Sequence, residues 1–251
     1  MSDEYAEVVD GYDEGIFSYN DYSNSSHRTT LTIGSSVKRI EPWMFTGSGI
    51  TSVTIPGSVT NIGDNAFYEC TKLASVRFEG SATPLTIGFQ PEGNERGPFY
   101  QSPLTSIYVN RELVATEEYA AARNQTDEGI FSTSFDDAVV SVILQGNVNT
   151  ISDYMFSGVQ MKTIWIPQEV TSIGKSAFED CSLLHGVTLA HSAPPTLGVD
   201  AFEGTLLQDE DEDPWIALEK GSDENILKAF KTATNWSEYA GIIKPQYKTN
   251  P

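Results

Sequence analysis

Apolar residues recur along this chain at intervals much longer than the period of a helix or a strand. In the first half, one set returns after 22 positions (59 − 37 = 22) and another after 23 (73 − 50 = 23): Val37, Ile40 and Phe45 become Val59, Ile62 and Phe67, while Ile50 and Val53 become Leu73 and Val76. Self-similarity at a fixed period of this length indicates a repeat architecture rather than an ordinary globular core.

The second half repeats the same steps. Its matching sets are Val148, Ile151 and Phe156 with Val170, Ile173 and Phe178, and Met161 and Ile164 with Leu184 and Val187. Each half ends with a degenerate third unit, formed by Ile87, Phe99, Leu104 and Ile107 in the first half and by Leu197, Phe202 and Leu206 in the second. The first of these units carries an insertion at 89–99.

A longer repetition encloses the short one. Residues 52–76 align without a gap on residues 163–187, and the hexapeptide DEGIFS stands at 13–18 and again at 127–132. The pattern therefore predicts a tandem duplication of a three-repeat lobe, with domains at 1–126 and 127–251.

Alternation within the repeat predicts short strands. Val53 and Ile55 point inward and Thr54 points outward, and Pro56 ends the strand because it cannot donate to a ladder. Since one coil cannot cover its own apolar faces, coils must stack. A period of 22–23 residues lies in the range of leucine-rich repeats, which predicts a strand-dominated solenoid of the α/β class.

Each lobe is expected to have covered ends. DEGIFS predicts an N-terminal strand cap. Apolar residues at helical spacing predict a C-terminal capping helix in each lobe, with the stripe Ala115, Tyr119 and Ala122 matched by Ile226, Phe230 and Ala233. A helix in mid-chain favours two lobes, with stacking interrupted near 112–126, over one unbroken spiral.

The motif I-G-x-x-A-F-x-x-C-x-x-L-x-x-V, present at 62–76 and 173–187, closely resembles the BspA-like leucine-rich repeat family. The resemblance covers roughly residues 28–110 and 138–218. Members are common on the surfaces of gut and oral Bacteroidetes and occur in some protozoan parasites. The resemblance implies a non-enzymatic binding or adhesion module, secreted or displayed at a cell surface, with protein ligands on host or neighbouring cells.

Charge narrows the range of partners. The 251-residue chain has 15 basic and 35 acidic residues, a formal net charge of −20, which disfavours nucleic acids and anionic membranes. No apolar run approaches the roughly 18 residues of a membrane helix. The N-terminus has no basic start or apolar core of a secretory signal, so a cytosolic start and a mature chain behind an added Met1 both remain open.

Candidate chemistry is sparse. Cys181 and His185 could suggest a thiol–imidazole pair, but Cys181, like Cys70, is a repeat position expected to hold a buried free thiol. We expect no catalytic residues, no cofactor and no metal site, because no nucleophile triad, phosphate-binding loop or metal-ligand spacing occurs. The acidic run at 209–213 lacks the glycine turn and distal Glu of an EF-hand loop, so we expect a solvated insertion.

The outward strand positions are the candidate binding surface. In stacking order they are predicted to be Thr32, Thr54, Arg77 and Tyr108, then Ile143, Trp165, Thr188 and Ile216. Ile143 and Trp165 should be neighbours, leaving an apolar pair facing solvent, as is typical of contact surfaces. Ligand binding is therefore assigned to Trp165, Ile143, Arg77 and Tyr108.

Alternatives remain open at this stage. The apolar pair could pack one lobe on the other or form a homodimer. Trp165 and Tyr108 could instead bind a glycan in a surface or periplasmic scaffold protein. The chain could also be an intracellular interaction module, an alternative that the resemblance to parasite members of the family leaves open.

Overall fold

The computed structural model describes residues 30–87, 97–115, 130–131, 139–209, 211 and 213–246. Within them the chain coils repeatedly, and each coil contributes short parallel strands. The strands are β1 (Thr30–Thr32), β2 (Arg39–Ile40), β3 (Ser52–Ile55), β4 (Asn61–Ile62), β5 (Ser75–Phe78), β6 (Leu85–Ile87), β7 (Ser106–Val109), β8 (Leu113–Ala115), β9 (Ser141–Leu144), β10 (Thr150–Ile151), β11 (Thr163–Ile166), β12 (Ser172–Ile173), β13 (Gly186–Leu189), β14 (Thr196–Leu197), β15 (Trp215–Leu218) and β16 (Ile243–Pro245). The predicted strand-dominated leucine-rich-repeat solenoid is confirmed.

Two walls enclose the core. The front wall consists of the sheet β1-β3-β5-β7-β9 followed by the sheet β11-β13-β15-β16, and the back wall consists of β2-β4-β6-β8 followed by β10-β12-β14. Equivalent residues of successive coils pair directly: Val53 lies opposite Val76, and Thr54 opposite Arg77. Residues one repeat apart therefore lie opposite each other on neighbouring strands, and their side chains form a continuous row along each sheet.

Strand alternation places the core as the sequence predicts. In β3, Val53 and Ile55 are buried and Thr54 is exposed. The same alternation buries Ile164 and Ile166 in β11 and exposes Trp165 between them. Because every coil buries residues at the same positions, the core is a continuous column between the walls.

A column of stacked phenylalanines forms the centre of the solenoid. Successive rings lie 5.1 to 5.8 Å apart between centroids, with interplanar angles of 18° or less. In order, the column contains Phe45, Phe67, Phe99, Phe131, Phe156, Phe178 and Phe202. Each buried ring removes a large apolar area from water, a contribution of about 1.5–3 kcal/mol. The column holds together coils that separately have no complete core.

The expected interruption of stacking between the two halves is wrong. β7 pairs with β9 across the duplication boundary, from Ser106 opposite Ser141 to Val109 opposite Leu144. The second DEGIFS also does not form a strand cap at its described residues: Ile130 and Phe131 lie in a turn, and Phe131 stacks between Phe99 and Phe156. Phe131 occupies the repeat's own aromatic position, which explains the difference. The division between residues 126 and 127 stays a prediction.

The end caps are described only in part. The first DEGIFS and the Tyr119 and Ala122 of the first predicted helix lie outside the described residues, and Ala115 belongs to strand β8 rather than to a helix. The second capping helix is present as α1 (Glu224–Thr232), and its Phe230 is buried. The Asp223 carboxylate accepts a hydrogen bond from the Asn225 N–H at its start, at 2.8 Å.

The two cysteines are buried free thiols, as expected. Cys70 donates to the Phe45 carbonyl and Cys181 to the Phe156 carbonyl, each at 3.1 Å. Each bond therefore joins a coil to the preceding one. Burial raises the pKa of the Cys70 thiol to about 11, so it is a structural donor rather than a reactive thiolate.

The hydrogen-bonded walls are divided near the middle of the solenoid, at a place we call the seam. Among the described strands, β9 and β11 lie side by side in the front wall without a paired ladder, and one coil earlier no ladder joins β8 to β10 in the back wall. A backbone bond from the Val140 N–H to the Gln160 carbonyl crosses near the front strands, and the Ser152 hydroxyl donates to the Leu113 carbonyl at the back. At each break the opposite wall keeps its ladder, β10 with β12 and β7 with β9, so the two breaks are staggered by one coil.

The phenylalanine column gives a stability prediction. Phe67→Ala and Phe178→Ala should each lower the free energy of unfolding by about 3–5 kcal/mol, because each removes a fully buried ring from a stack. Val199→Ala, at a side chain that is 58% exposed, should change it by less than about 0.5 kcal/mol. Urea unfolding measures all three, and losses below about 1 kcal/mol for both phenylalanines would contradict the assigned core.

Candidate functional site

Outward side chains of the front wall form one row in register. Pairing places Thr32 beside Thr54, Thr54 beside Arg77, Arg77 beside Tyr108 and Tyr108 beside Ile143. Neighbouring strands in a sheet lie about 4.8 Å apart, so side chains from successive coils can touch. The structure therefore brings Arg77, Tyr108 and Ile143 together, as the outward row predicted from the sequence requires.

Arg77 and Tyr108 form a cation–π pair. The guanidinium carbon of Arg77 lies 3.6 Å from the centroid of the Tyr108 ring. This is closer than the roughly 6 Å limit for an effective contact. Arg77 remains exposed and Tyr108 is half-buried, so the pair presents a charged edge over an aromatic surface.

Ile143 and Trp165 form the most exposed apolar area of the row. Ile143 is 43% exposed and Trp165 is 45% exposed. They stand on β9 and β11, the two neighbouring front strands that meet at the seam. The predicted exposure of both side chains is therefore confirmed, while their role in ligand binding stays a proposal.

The Trp165 indole is held in one orientation. Its Nε1–H donates to a carboxylate oxygen of Glu219 at 2.7 Å. Glu219 directly follows β15, two strands away from β11, so the indole and the Glu219 side chain meet over β13. The ring therefore lies along the sheet surface, with its only polar atom already bonded.

Two predicted outward positions differ from the structure. Thr188 does point outward, opposite Trp165, but it is only 9% exposed, and the Trp165–Glu219 bond spans the strand that carries it. Ile216 points inward and is fully buried, so its assignment to the outward row is wrong. Its register partner is the core residue Val187, and Ala217 is the residue opposite Thr188.

Trp215 is the surface residue that the sequence reasoning missed. It begins β15, pairs with Gly186 and is half-buried on the outward side. A strand that begins with tryptophan and contains Ile216, Ala217 and Leu218 is apolar at every position. The sequence of this strand therefore could not show which side chains point outward. Only the pairing of Ile216 with the core residue Val187 identifies them.

A polar corner borders the Trp165 side of the front wall. Lys220 donates to the Gln168 side-chain oxygen at 3.2 Å. Beside it, the buried His191 donates from Nε2 to the Val170 carbonyl at 2.6 Å, and its Nδ1 has no partner. Burial, aided by the nearby Lys220 charge, lowers the pKa of His191 below its usual value, although the bond to Val170 opposes this.

The remaining sequence candidates form no catalytic arrangement within the described residues. Cys181 bonds the Phe156 carbonyl, and Nδ1 of the half-buried His185 lies 3.2 Å from the Leu183 carbonyl. In the acidic run, an Asp209 carboxylate oxygen accepts from the Asp211 N–H at 3.0 Å, while positions 210 and 212 are not described. In the described part of the chain, no three His, Cys, Asp or Glu side chains are grouped to hold a metal ion.

The described ranges contain no helix that is both long enough and apolar enough to cross a bilayer.

His191 gives a pH prediction. A lowered pKa in the folded chain means that the unfolded chain binds the proton more readily, so stability should fall as pH drops through about 6.5. His191→Gln can keep a donor to Val170 without titrating. We expect a smaller loss of melting temperature for this variant than for the wild type between about pH 7.5 and pH 5.5. An equal loss of melting temperature in the variant and in the wild type would contradict the assignment of this pH dependence to His191.

Comparison with known proteins agrees with the repeat architecture. The family described as "BspA type Leucine rich repeat region" matches in six copies, over residues 16–120 and 99–210. Among solved structures, a leucine rich cell surface protein from Faecalibacterium prausnitzii A2-165 is 28% identical, with a TM-score of 0.35. The match covers 69% of this chain and 50% of that protein, so the chain spans half of its length.

No curated protein sequence shows significant similarity to the chain. The six matched copies nevertheless extend over more than half of the sequence and include both phenylalanine-containing halves of the solenoid. The chain therefore belongs to the BspA-type leucine-rich repeat family.

Proposed function

We propose that this protein is a non-enzymatic binding or adhesion module whose front wall contacts protein ligands. The coarser part of this conclusion, a repeat protein suited to interaction, follows from its membership of the leucine-rich repeat family. The proposed contact surface is the outward row formed by Arg77, Tyr108, Ile143 and Trp165.

The observation that carries the proposal is the exposure of two large apolar side chains on an ordered sheet. Ile143 and Trp165 are 43% and 45% exposed, although inward positions on the same strands hold the core. Burying such side chains against a partner would remove apolar area from water. Tryptophan and arginine are also frequent among the residues that dominate binding energy, and the row contains both.

The rest of the row supports a protein contact. Arg77 offers guanidinium N–H donors while its stem and charge rest against Tyr108. A charged group beside the apolar pair gives the combination of apolar centre and polar border seen in protein interfaces. The overall charge of −20 favours partners that are basic or neutral at the contacting surface.

Location at a cell surface or outside the cell is part of the same proposal. It is supported by the family, whose bacterial members are commonly displayed on surfaces. Exposure of the front wall would then let the module meet proteins of a host or a neighbouring cell. Self-association through Ile143 and Trp165 is the competing use of this surface.

The proposal predicts a separation between stability and binding. Trp165→Ala and Ile143→Ser should each change the free energy of unfolding by less than about 1 kcal/mol, because both side chains are exposed. Each should weaken binding to an extracellular protein ligand by about tenfold or more, since an anchor side chain is worth over about 1.4 kcal/mol. Surface plasmon resonance against a panel of purified extracellular matrix proteins measures the binding.

Two matched controls lie on the same solenoid. Thr54→Ala changes the position that corresponds to Trp165 in the first half (165 − 54 = 111), and Val199→Ser changes an exposed apolar side chain outside the row. Neither should alter binding. Unchanged affinity in both Trp165→Ala and Ile143→Ser would overturn the proposed surface, and a concentration-dependent dimer lost in these variants would assign it to self-association.

A further inference from the structure

Two tryptophans cover the same strand of the front wall from opposite sides. Trp165 starts on β11 and Trp215 on β15, and β13 lies between these strands. The two β13 residues that face outward, Gly186 and Thr188, are both buried. Side chains from the neighbouring strands must therefore lie over them.

The Trp215 ring covers Gly186. A Cβ atom at Gly186 would lie 2.4, 2.6 and 3.0 Å from three consecutive ring atoms of Trp215, Cζ2, Cε2 and Cη2. Similar distances to three consecutive atoms show that the ring turns its face, rather than its edge, toward the strand. Glycine is required here because any side chain would occupy the space of the indole.

The Trp165 and Glu219 side chains together span β13 on the Thr188 side. Trp165 Nε1 donates to Glu219, which follows β15, and Thr188, the register partner of Trp165, is only 9% exposed. Alternate residues of a strand are about 6.8 Å apart, so the two indoles cover neighbouring positions along β13. We call the surface formed by Trp165 and Trp215 the tryptophan platform.

We propose that the tryptophan platform binds a neutral β-linked glycan. One face of a pyranose ring carries weakly positive C–H groups, which pack against the negative face of an aromatic ring. Two indoles at neighbouring positions along a flat strand offer stacking places for neighbouring sugars of one extended chain. Because the Trp165 N–H is already bonded to Glu219, donors and acceptors for sugar hydroxyls come from the Trp215 N–H and from the border of the platform.

The border has groups that suit sugar hydroxyls. Glu219 is an exposed carboxylate at the edge of Trp165, and it can accept hydrogen bonds from hydroxyls. Thr163, on the same strand as Trp165, adds an exposed hydroxyl that can both donate and accept. Sugar hydroxyls also both donate and accept, so they can pair with either group.

Charge selects a neutral ligand over the main competitors. An arginine of a protein partner could also stack on an indole, but the border carries charges of both signs, the exposed lysines at 162, 220 and 244 and the Glu219 carboxylate, so it has no net attraction for a cation. Lys244 stands beside Ala217 in the outward row, and Lys220 directly follows Glu219. A polyanionic glycan would instead meet the net charge of −20.

This inference rests on the proposed function only through Trp165, which belongs to both surfaces. Trp215 and Glu219 belong to the platform alone, whereas Arg77 and Ile143 belong to the proposed protein contact. Variants at the unshared residues therefore separate failure of one proposal from failure of the other.

Isothermal titration calorimetry of the full chain with cellohexaose and chitohexaose tests the platform. At least one of these neutral β-linked probes should bind, and maltohexaose, whose α-linked chain is curved, should bind more weakly. Trp165→Ala and Trp215→Ala should each weaken the interaction by about tenfold, the size expected of an aromatic contact. Thr54→Ala is the matched control and should bind like the wild type.

Glu219→Ala gives a test that keeps both rings. It removes the acceptor that fixes Trp165, at an exposed position where loss of folding is not expected, and should also weaken sugar binding. Melting curves confirm that each variant is folded. Failure of both β-linked probes to bind the wild type, wild-type affinity in both Glu219→Ala and Trp165→Ala, or tighter binding of polygalacturonate or an oligoarginine peptide would each overturn the proposal.

Discussion

Stacking of phenylalanine rings between successive coils is the interaction on which the rest of this structure depends. No single coil encloses a core, and the wall strands are only two to four residues long. The ring of Phe131 continues the column between the two duplicated halves, from Phe99 to Phe156. Because the column fixes the spacing of coils, it also fixes the register of the front wall, which places residues distant in sequence beside one another.

Inward residues and outward residues are consequently under different physical constraints. Phe178 must fit between two rings, and Cys181 must donate to the carbonyl of the preceding coil. Thr54 and Trp165 occupy equivalent outward positions, 111 residues apart, in coils with the same core pattern. The fold therefore accepts a hydroxyl or an indole at one place, and the surface chemistry can change along the solenoid without a change in its core.

The sequence allowed the core and most of the outward row to be predicted, because two periods, of two residues and of 22–23, agree at Val53 and Ile164, while the longer period alone locates Phe178. Prediction failed where one of these signals was missing. Trp215 and Ile216 lie in a strand that is apolar on both faces, so no alternation of apolar and polar residues distinguished its inward from its outward side chains. The bond between Trp165 and Glu219, which spans the strand of the buried Thr188, joins residues 54 apart and has no local sequence signal.

The seam has a mechanical consequence. Parallel ladders resist shear and bending because many backbone hydrogen bonds must lengthen together. Between β9 and β11, and one coil earlier between β8 and β10, the ladder is absent in the described strands, while the opposite wall keeps its ladder at each level. A cavity bordered by Leu113, Leu144 and Phe156 lies at the back break. A load that bends the solenoid would therefore open the front wall between the strands of Ile143 and Trp165, with the intact β10–β12 ladder as the hinge.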